Sequence, residues 1–115
     1  MIKICIIGLG YVGLPICLKL SSYYNTVGFD INKKRIDLLK KKVDSNNEYK
    51  AKDFLKKKIL FSDKISDIKN CNVFIICVPT PIPASKLPDL KFVNHSYDIL
   101  SKVLKKNDII ILEST

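Results

Sequence analysis

The sequence predicts an α/β fold, a doubly wound, mostly parallel sheet with helices on both faces. Short apolar runs rich in Ile and Val alternate with segments of helical periodicity along the whole chain. The first run, Lys3-Ile4-Cys5-Ile6-Ile7, is apolar on both faces, as a central parallel strand covered from both sides must be. At 115 residues the chain is one domain with a single core.

Residues 2–8 read as the first strand, followed by a helix from about Tyr11 to Ser22 with Val12, Ile16 and Leu20 on one side. Pro15 falls in its first turn, where a missing N–H costs least. Thr26 to Asp30 is the second strand. Lys33 to Lys42 is a second helix that buries Ile36, Leu39 and Val43. The polar stretch Val43-Asp44-Ser45-Asn46-Asn47-Glu48 has turn chemistry. A short helix from Ala51 to Lys58, with Phe54 and Leu55 inward, leads to a third strand at Ile59-Leu60-Phe61. Ser62-Asp63 can cap a turn through Ile65-Ile68. The fourth strand, Asn72 to Val78, is the strongest apolar run. Pro79, Pro81, Pro83 and Pro88 then hold off any helix until about Asp89. A helix over 90–105 and a strand from Asp108 to Glu113 follow.

Composition narrows the function classes. At 47% hydrophobic and 27% charged residues the chain is an ordinary globular one, without a low-complexity segment. Its apolar runs are far shorter than the roughly 20 residues of a membrane-spanning helix. Met1-Ile2-Lys3 enters the first strand directly, without the pattern of a signal peptide, which points to the cytoplasm. Of the four cysteines (Cys5, Cys17, Cys71 and Cys77) none forms a C-x-x-C pair, and with one histidine no zinc set is expected. Cys5 and Cys77 sit in apolar strands and read as buried filler rather than nucleophiles. The net charge of +9 comes mostly from lysine, concentrated at Lys40-Lys41-Lys42 and Lys56-Lys57-Lys58. Both triplets fall at helix ends, where cations suit the dipole, and neither is interleaved with aromatics as a nucleic-acid face would be.

The chemistry-bearing stretch is the turn after the first strand, Gly8-Leu9-Gly10-Tyr11-Val12-Gly13. A Gly-x-Gly-x-x-Gly turn between a strand and a helix is the fingerprint of a dinucleotide-binding βαβ unit. Gly8 permits the sharp turn, Gly10 lets a pyrophosphate approach the backbone, and Gly13 lets the helix pack close to the strand. Asp30 at the tip of the next strand lies near the ~20-residue spacing at which a carboxylate meets the adenosine ribose. It accepts from a 2′-hydroxyl but repels a 2′-phosphate, which favours NAD over NADP; Lys33, Lys34 and Arg35 just beyond it soften that preference. Thr80 and Thr115 each end a strand on the ligand edge, and position alone leaves them between cofactor contact and turn capping. Glu113 is equally an acid/base candidate and a sheet-edge charge. His95 reads as a surface residue away from that edge. No Ser/His/Asp set or carboxylate pair is visible, so no catalytic residue is assigned.

The motifs Ile6-Ile7-Gly8-Leu9-Gly10-Tyr11-Val12-Gly13-Leu14-Pro15, Val27-Gly28-Phe29-Asp30-Ile31-Asn32, Val78-Pro79-Thr80-Pro81, Pro88-Asp89-Leu90 and Glu113-Ser114-Thr115 cover the chain nearly end to end. Together they resemble the N-terminal NAD-binding domain, of Rossmann type, of the UDP-glucose/GDP-mannose dehydrogenase family. Within it, the 44–48 stretch and the Pro-Thr-Pro-Ile loop look most like the UDP-N-acetylhexosamine 6-dehydrogenases of polysaccharide synthesis, UDP-N-acetylglucosamine 6-dehydrogenases above all. Asn46 departs from the Thr more often found there.

The resemblance implies NAD as cofactor and a four-electron oxidation of a sugar C6 alcohol to a carboxylate. It places Gly8, Gly10, Tyr11, Val12, Gly13, Asp30, Arg35, Thr80 and Thr115 around the NAD, with Arg35 in the place of a basic residue beside the adenosine ribose. It also implies that the nucleophilic cysteine, its Lys and Asn partners, a dimerising helix and the UDP-binding domain belong to segments after Thr115. None of the four cysteines here matches that motif. The expectation is thus a partial enzyme, with residues 1–115 the NAD-binding domain and a UDP-sugar as substrate of a homo-oligomeric whole. Neither a nucleic-acid nor a membrane partner is expected. Which UDP-sugar stays open. Two rivals remain: a complete small NAD(P) reductase, which would need a proton donor near Thr80 or Thr115, and a non-catalytic sensing or interaction module.

Overall fold

A computed structural model of the protein describes residues 1–55 and 58–113. Among these, strands β1 (Lys3–Ile7), β2 (Asn25–Phe29), β3 (Ile59–Ser62), β4 (Val73–Ile76) and β5 (Ile109–Leu112) form one parallel sheet in the order β3-β2-β1-β4-β5. Helices α1 (Gly13–Leu20), α2 (Lys33–Lys40) and α3 (Lys91–Ser101) make the crossovers with two short 3-10 turns, at Ala51–Phe54 and Ile65–Asp67. The chain winds outward from β1 through β2 to β3, then returns to β1's other side as β4. The direction of winding therefore reverses between β1 and β4, and a crevice opens there at the carboxyl ends of the strands.

The pleat divides the core in two. Ile4, Ile6 and Ile75 face α1 and α2, packing with Leu14, Cys17, Leu18, Ile36 and Leu39. Cys5, Ile7, Phe74 and Ile76 face the other way, onto Ile99 and Leu100 of α3 and Val103 beyond it. Both faces of β1 are buried, as its unbroken apolar run requires. Phe29 and Phe74, both fully buried, each contribute roughly 2–3 kcal/mol by leaving water.

Four details of the sequence reading need correction. The buried stripe of α1 is Gly13, Leu14, Cys17 and Leu18; Val12 is the exposed N-cap residue, and Ile16 and Leu20 are only half-buried. Val43 is exposed because Lys42 takes a left-handed turn (φ 63°) after α2 and redirects the chain. The Ala51–Lys58 helix is a single 3-10 turn ending at Phe54; Leu55 is extended and faces solvent, and Lys56 and Lys57 lie outside the described residues. The last helix is Lys91–Ser101, shorter at both ends than the 90–105 expectation. All four cysteines are buried and free, Cys5 and Cys77 among them. No helix among the described residues is long and apolar enough to cross a membrane.

Candidate functional site

The crevice is built on three glycines that the fold treats differently. Gly8 has φ +95°, and a Cβ there would lie 2.9 Å from the Val78 backbone nitrogen. A side chain at Gly8 is thus excluded both by conformation and by β4. Gly13 opens α1 directly beneath the turn, and its Cβ would stand 1.7 Å from the Gly8 carbonyl oxygen, so only glycine lets the helix approach this close. Gly10 is the contrast: it is exposed, and a Cβ on it would meet nothing within 4 Å. Among the described residues no atom demands glycine there. The open space lies over a helix N-terminus that has no side-chain cap and no acid in its first turn. Backbone N–H groups and the positive end of the helix dipole suit an anion at such a place, and the cleared volume at Gly10 lets a pyrophosphate reach them. The residues present therefore fit a dinucleotide.

Asp30 braces the turn from β2. One carboxylate oxygen accepts from the Leu9 N–H (2.9 Å) and the other from the Asn32 N–H (2.9 Å). Asn32 caps α2 in turn, its side-chain oxygen accepting from the Arg35 N–H at 3.1 Å. Arg35 is buried rather than solvent-facing: its Nε and Nη2 both donate to the Leu9 carbonyl (2.9 and 2.6 Å), and Nη1 donates to Asp44 Oδ1 (2.6 Å) and Ser45 Oγ (3.0 Å). Asp44 also accepts from the N–H groups of Asn46, Glu48 and Tyr49. Burial pushes its carboxyl up, but Arg35 and those three N–H groups outweigh this and hold it below the ordinary carboxylate range.

Two hollows flank the Leu9–Gly10 backbone. One, of about 340 Å³, is floored by Gly8 and Gly10 and walled by Asp30, Val78, Phe92 and His95. Its lining is mostly apolar, as a base-binding slot requires. The other, of about 320 Å³, shares Leu9, Gly10, Asp30 and Asn32 with the first and is completed by Lys34, Arg35, Ser45 and Asn46. A larger hollow beside Met1 and Tyr23 lies at the amino ends of the strands, away from all of these.

The structure thus brings Gly8, Gly10, Gly13, Asp30 and Arg35 into one corner, with Tyr11 and Val12 exposed beside it. Thr80 is half-buried in the loop after β4, on the same edge of the sheet. Thr115 and its neighbour Ser114 lie outside the described residues. His95 corrects the sequence reading: it is exposed, but it stands on the α3 wall of the crevice with Phe92. Asp44 lies in a stretch whose composition gives only a turn, and its one sequence signal is an Asp followed by turn formers. Cys77 reaches the crevice wall, but burial first and Glu113 second push its thiol up to about 11, which leaves it protonated and unreactive at neutral pH. Among the described residues no group of three or more His, Cys, Asp or Glu could hold a metal ion.

Comparison with known proteins agrees with this geometry. The sequence model of the UDP-glucose/GDP-mannose dehydrogenase family, NAD binding domain, matches residues 2–115. UDP-N-acetyl-D-glucosamine 6-dehydrogenases from Pseudomonas aeruginosa and Salmonella typhi are 43% and 45% identical over 115 residues. Each alignment covers 99% of this chain but only 27% of the relative. The solved UDP-D-ManNAc dehydrogenase of Pyrococcus horikoshii superposes with a TM-score of 0.86 at 32% identity, over 99% of this chain and 28% of that one. The chain belongs to the UDP-glucose/GDP-mannose dehydrogenase family, as its NAD-binding domain, and has the Rossmann-type fold of that family.

Proposed function

We propose that this chain is the cofactor-holding part of an NAD-dependent UDP-N-acetylhexosamine 6-dehydrogenase that serves polysaccharide synthesis in the cytoplasm. On this reading Gly8, Gly10, Gly13 and the start of α1 hold the pyrophosphate, Tyr11 and Val12 border it, and Asp30 meets the adenosine ribose. Arg35 stands behind Asp30, Thr80 approaches the site from the loop after β4, and Thr115 is assigned to the NAD site by its family motif. NAD bound here supplies the hydride acceptor for oxidation of the sugar C6 alcohol. The relatives are nearly four times as long as the stretch they share with this chain, which supports a UDP-sugar site and the covalent chemistry residing in further segments of a homo-oligomeric enzyme. Neither a nucleic-acid nor a membrane partner has a place in this reading.

The observation that carries it is Gly10, a glycine that no atom of the described residues requires, over an uncapped helix N-terminus. Calorimetric titration with NAD+ tests it. The wild-type chain binds, and Gly10→Ala, whose methyl would fill the cleared volume, weakens binding by about tenfold or more while the protein stays folded. An alanine variant that binds as well as wild type, or a folded wild type that gives no heat, overturns the proposal.

A further inference from the structure

We propose that Cys71 and Cys5 form a thiol-oxidation site, in which Cys71 reacts with a peroxide and Cys5 then closes a disulfide onto it. The site lies toward the amino ends of the strands, away from the glycine turn, and is independent of the NAD reading.

The fold brings the two thiols together from distant parts of the chain. Cys5 lies on the α3 side of β1, and Cys71, just before β4, is buried in the same cluster with Ile68 and Phe74. The backbone on either side of Cys71 is fixed. Its own N–H donates to the Ile68 carbonyl at 3.1 Å, and the Asn72 N–H donates to the Lys3 carbonyl at 2.9 Å. Asn72 Oδ1 accepts from the Lys3 N–H in return, at 2.9 Å. Held in this way against β1, the Cys71 sulfur accepts the S–H of Cys5. Two sulfurs in hydrogen-bonding contact need only a short approach to bond.

The surroundings of the two thiols assign their roles. Cys71 borders a hollow of about 440 Å³ together with Lys3, Lys58 and Asn70. The Lys105 ammonium is anchored beside it, donating to the Lys69 and Cys71 carbonyls at 2.8 and 3.0 Å and to Asp108 at 3.2 Å. The hydrogen bond from Cys5 first, then the charges of Lys3 and Lys105, hold the Cys71 thiol below its ordinary range against burial and Asp108. Burial pushes Cys5 well up, Cys17 up to about 12 and Cys77 up to about 11. Because the thiolate is the nucleophile, Cys71 is the one of the four set to react first. It is only 2% exposed, so a reagent as small as hydrogen peroxide suits it and a bulky one does not.

The chemistry balances with the peroxide as oxidant. The Cys71 thiolate attacks one peroxide oxygen and the O–O bond breaks. Cys71 becomes a sulfenic acid, and the departing hydroxide takes up the proton that Cys71 released, as water. The Cys5 sulfur then attacks the Cys71 sulfur, the S–O bond breaks, and the hydroxyl leaves with the Cys5 proton as a second water. The two thiols together lose two electrons, which the peroxide gains.

Peptide mapping of the folded wild-type chain after treatment with hydrogen peroxide tests this. The chain should lose about 2 Da through a single Cys5–Cys71 link that dithiothreitol reverses, at least about tenfold faster than Cys17 or Cys77 reacts. A link between any other pair, earlier oxidation of Cys17 or Cys77, or four unchanged thiols overturns the proposal. In denaturant the four thiols should react alike within about threefold, and a Cys71 preference that survives unfolding also overturns it. Two variants test the roles. Cys5→Ser, which keeps a donor beside Cys71, should leave a Cys71 sulfenic acid that dimedone traps, whereas Cys71→Ser should leave Cys5 unoxidised. The reverse assignment overturns the proposal, and the wild-type map decides alone if either variant fails to fold.

Discussion

Two loops leave the carboxyl ends of adjacent central strands and face each other across the crevice, and they are built on opposite principles. The corner after β1 is short, and three of the residues that brace it come from elsewhere in the chain: Asp30 from the end of β2, Arg35 from α2, and Asp44 behind Arg35. The corner after β4 runs from Cys77 to Leu90, rich in proline, with Ile82, Leu87 and Leu90 all more than half exposed. Its backbone is turned by its own bonds, Lys86 N–H to the Pro83 carbonyl and Asp89 N–H to the Pro81 carbonyl. The first corner has the rigidity that recognition of a fixed group such as a pyrophosphate calls for. The second spends proline's restricted φ on shape and leaves its apolar side chains uncovered.

The largest effect expected from breaking the first corner comes at Gly13. A methyl 1.7 Å from the Gly8 oxygen forces α1 off β1, and Gly13→Ala should cost about 3 kcal/mol or more in denaturant unfolding, or prevent folding. Gly8→Ala follows at about 2–3 kcal/mol, since it combines a positive φ with contact against the Val78 backbone. An unfolding midpoint for either variant equal to that of wild type would mean that the corner yields where its geometry says it cannot.

Asp44→Asn tests the brace rather than the glycines. Leaving Arg35 buried without its counter-charge should cost about 2–3 kcal/mol at neutral pH. The pH dependence has a definite sign. The folded-state pKa of Asp44 is held below the ordinary 3.8, so its contribution is fully present above about pH 4 and is lost as pH falls through the folded-state value. Wild type should therefore lose stability below about pH 4 more steeply than the Asn variant, as acid titrations of the unfolding free energy will read. Parallel curves would remove the ion pair from the account.

The contrast between the corners also sorts what the sequence disclosed from what it hid. Gly8 and Gly13 are legible because each solves a local problem, a turn and a close approach, at fixed spacing along the chain; that Asp30 braces the Leu9 N–H is not legible there, since spacing points it only to the ribose. The doubly wound parallel sheet follows from the alternation of strands and helices, whereas the strand order that puts the reversal between β1 and β4 is seen only in the fold. Periodicity puts Val12, Ile16 and Leu20 on the α1 stripe, but Gly13, pressed on the Gly8 carbonyl, sets the buried face, and helical periodicity carries no record of that contact. Only the family resemblance sets Arg35 apart from its lysine neighbours, beside the adenosine ribose, and Asp44 reads as a loop polar residue. Their pairing spans nine positions and depends on how the 44–49 turn folds back onto α2, which no local pattern announces. His95 was misplaced for the same reason: its position beside the crevice comes from where α3 docks on the sheet.

The smallest effect belongs to the second corner and completes the comparison. Leu87 is 71% exposed, so replacing it removes little buried apolar surface. Leu87→Ser should shift the unfolding free energy by no more than about 0.5 kcal/mol, against several for a single methyl at Gly13. The leucine is the larger and more hydrophobic of the two residues, and the glycine has no side chain at all. The ordering therefore tests whether stability here follows the closeness of the β1 corner rather than the amount of hydrophobic surface. A loss above about 1 kcal/mol at Leu87 would show that the proline-rich loop is packed against the domain after all, and the two corners would no longer differ in kind.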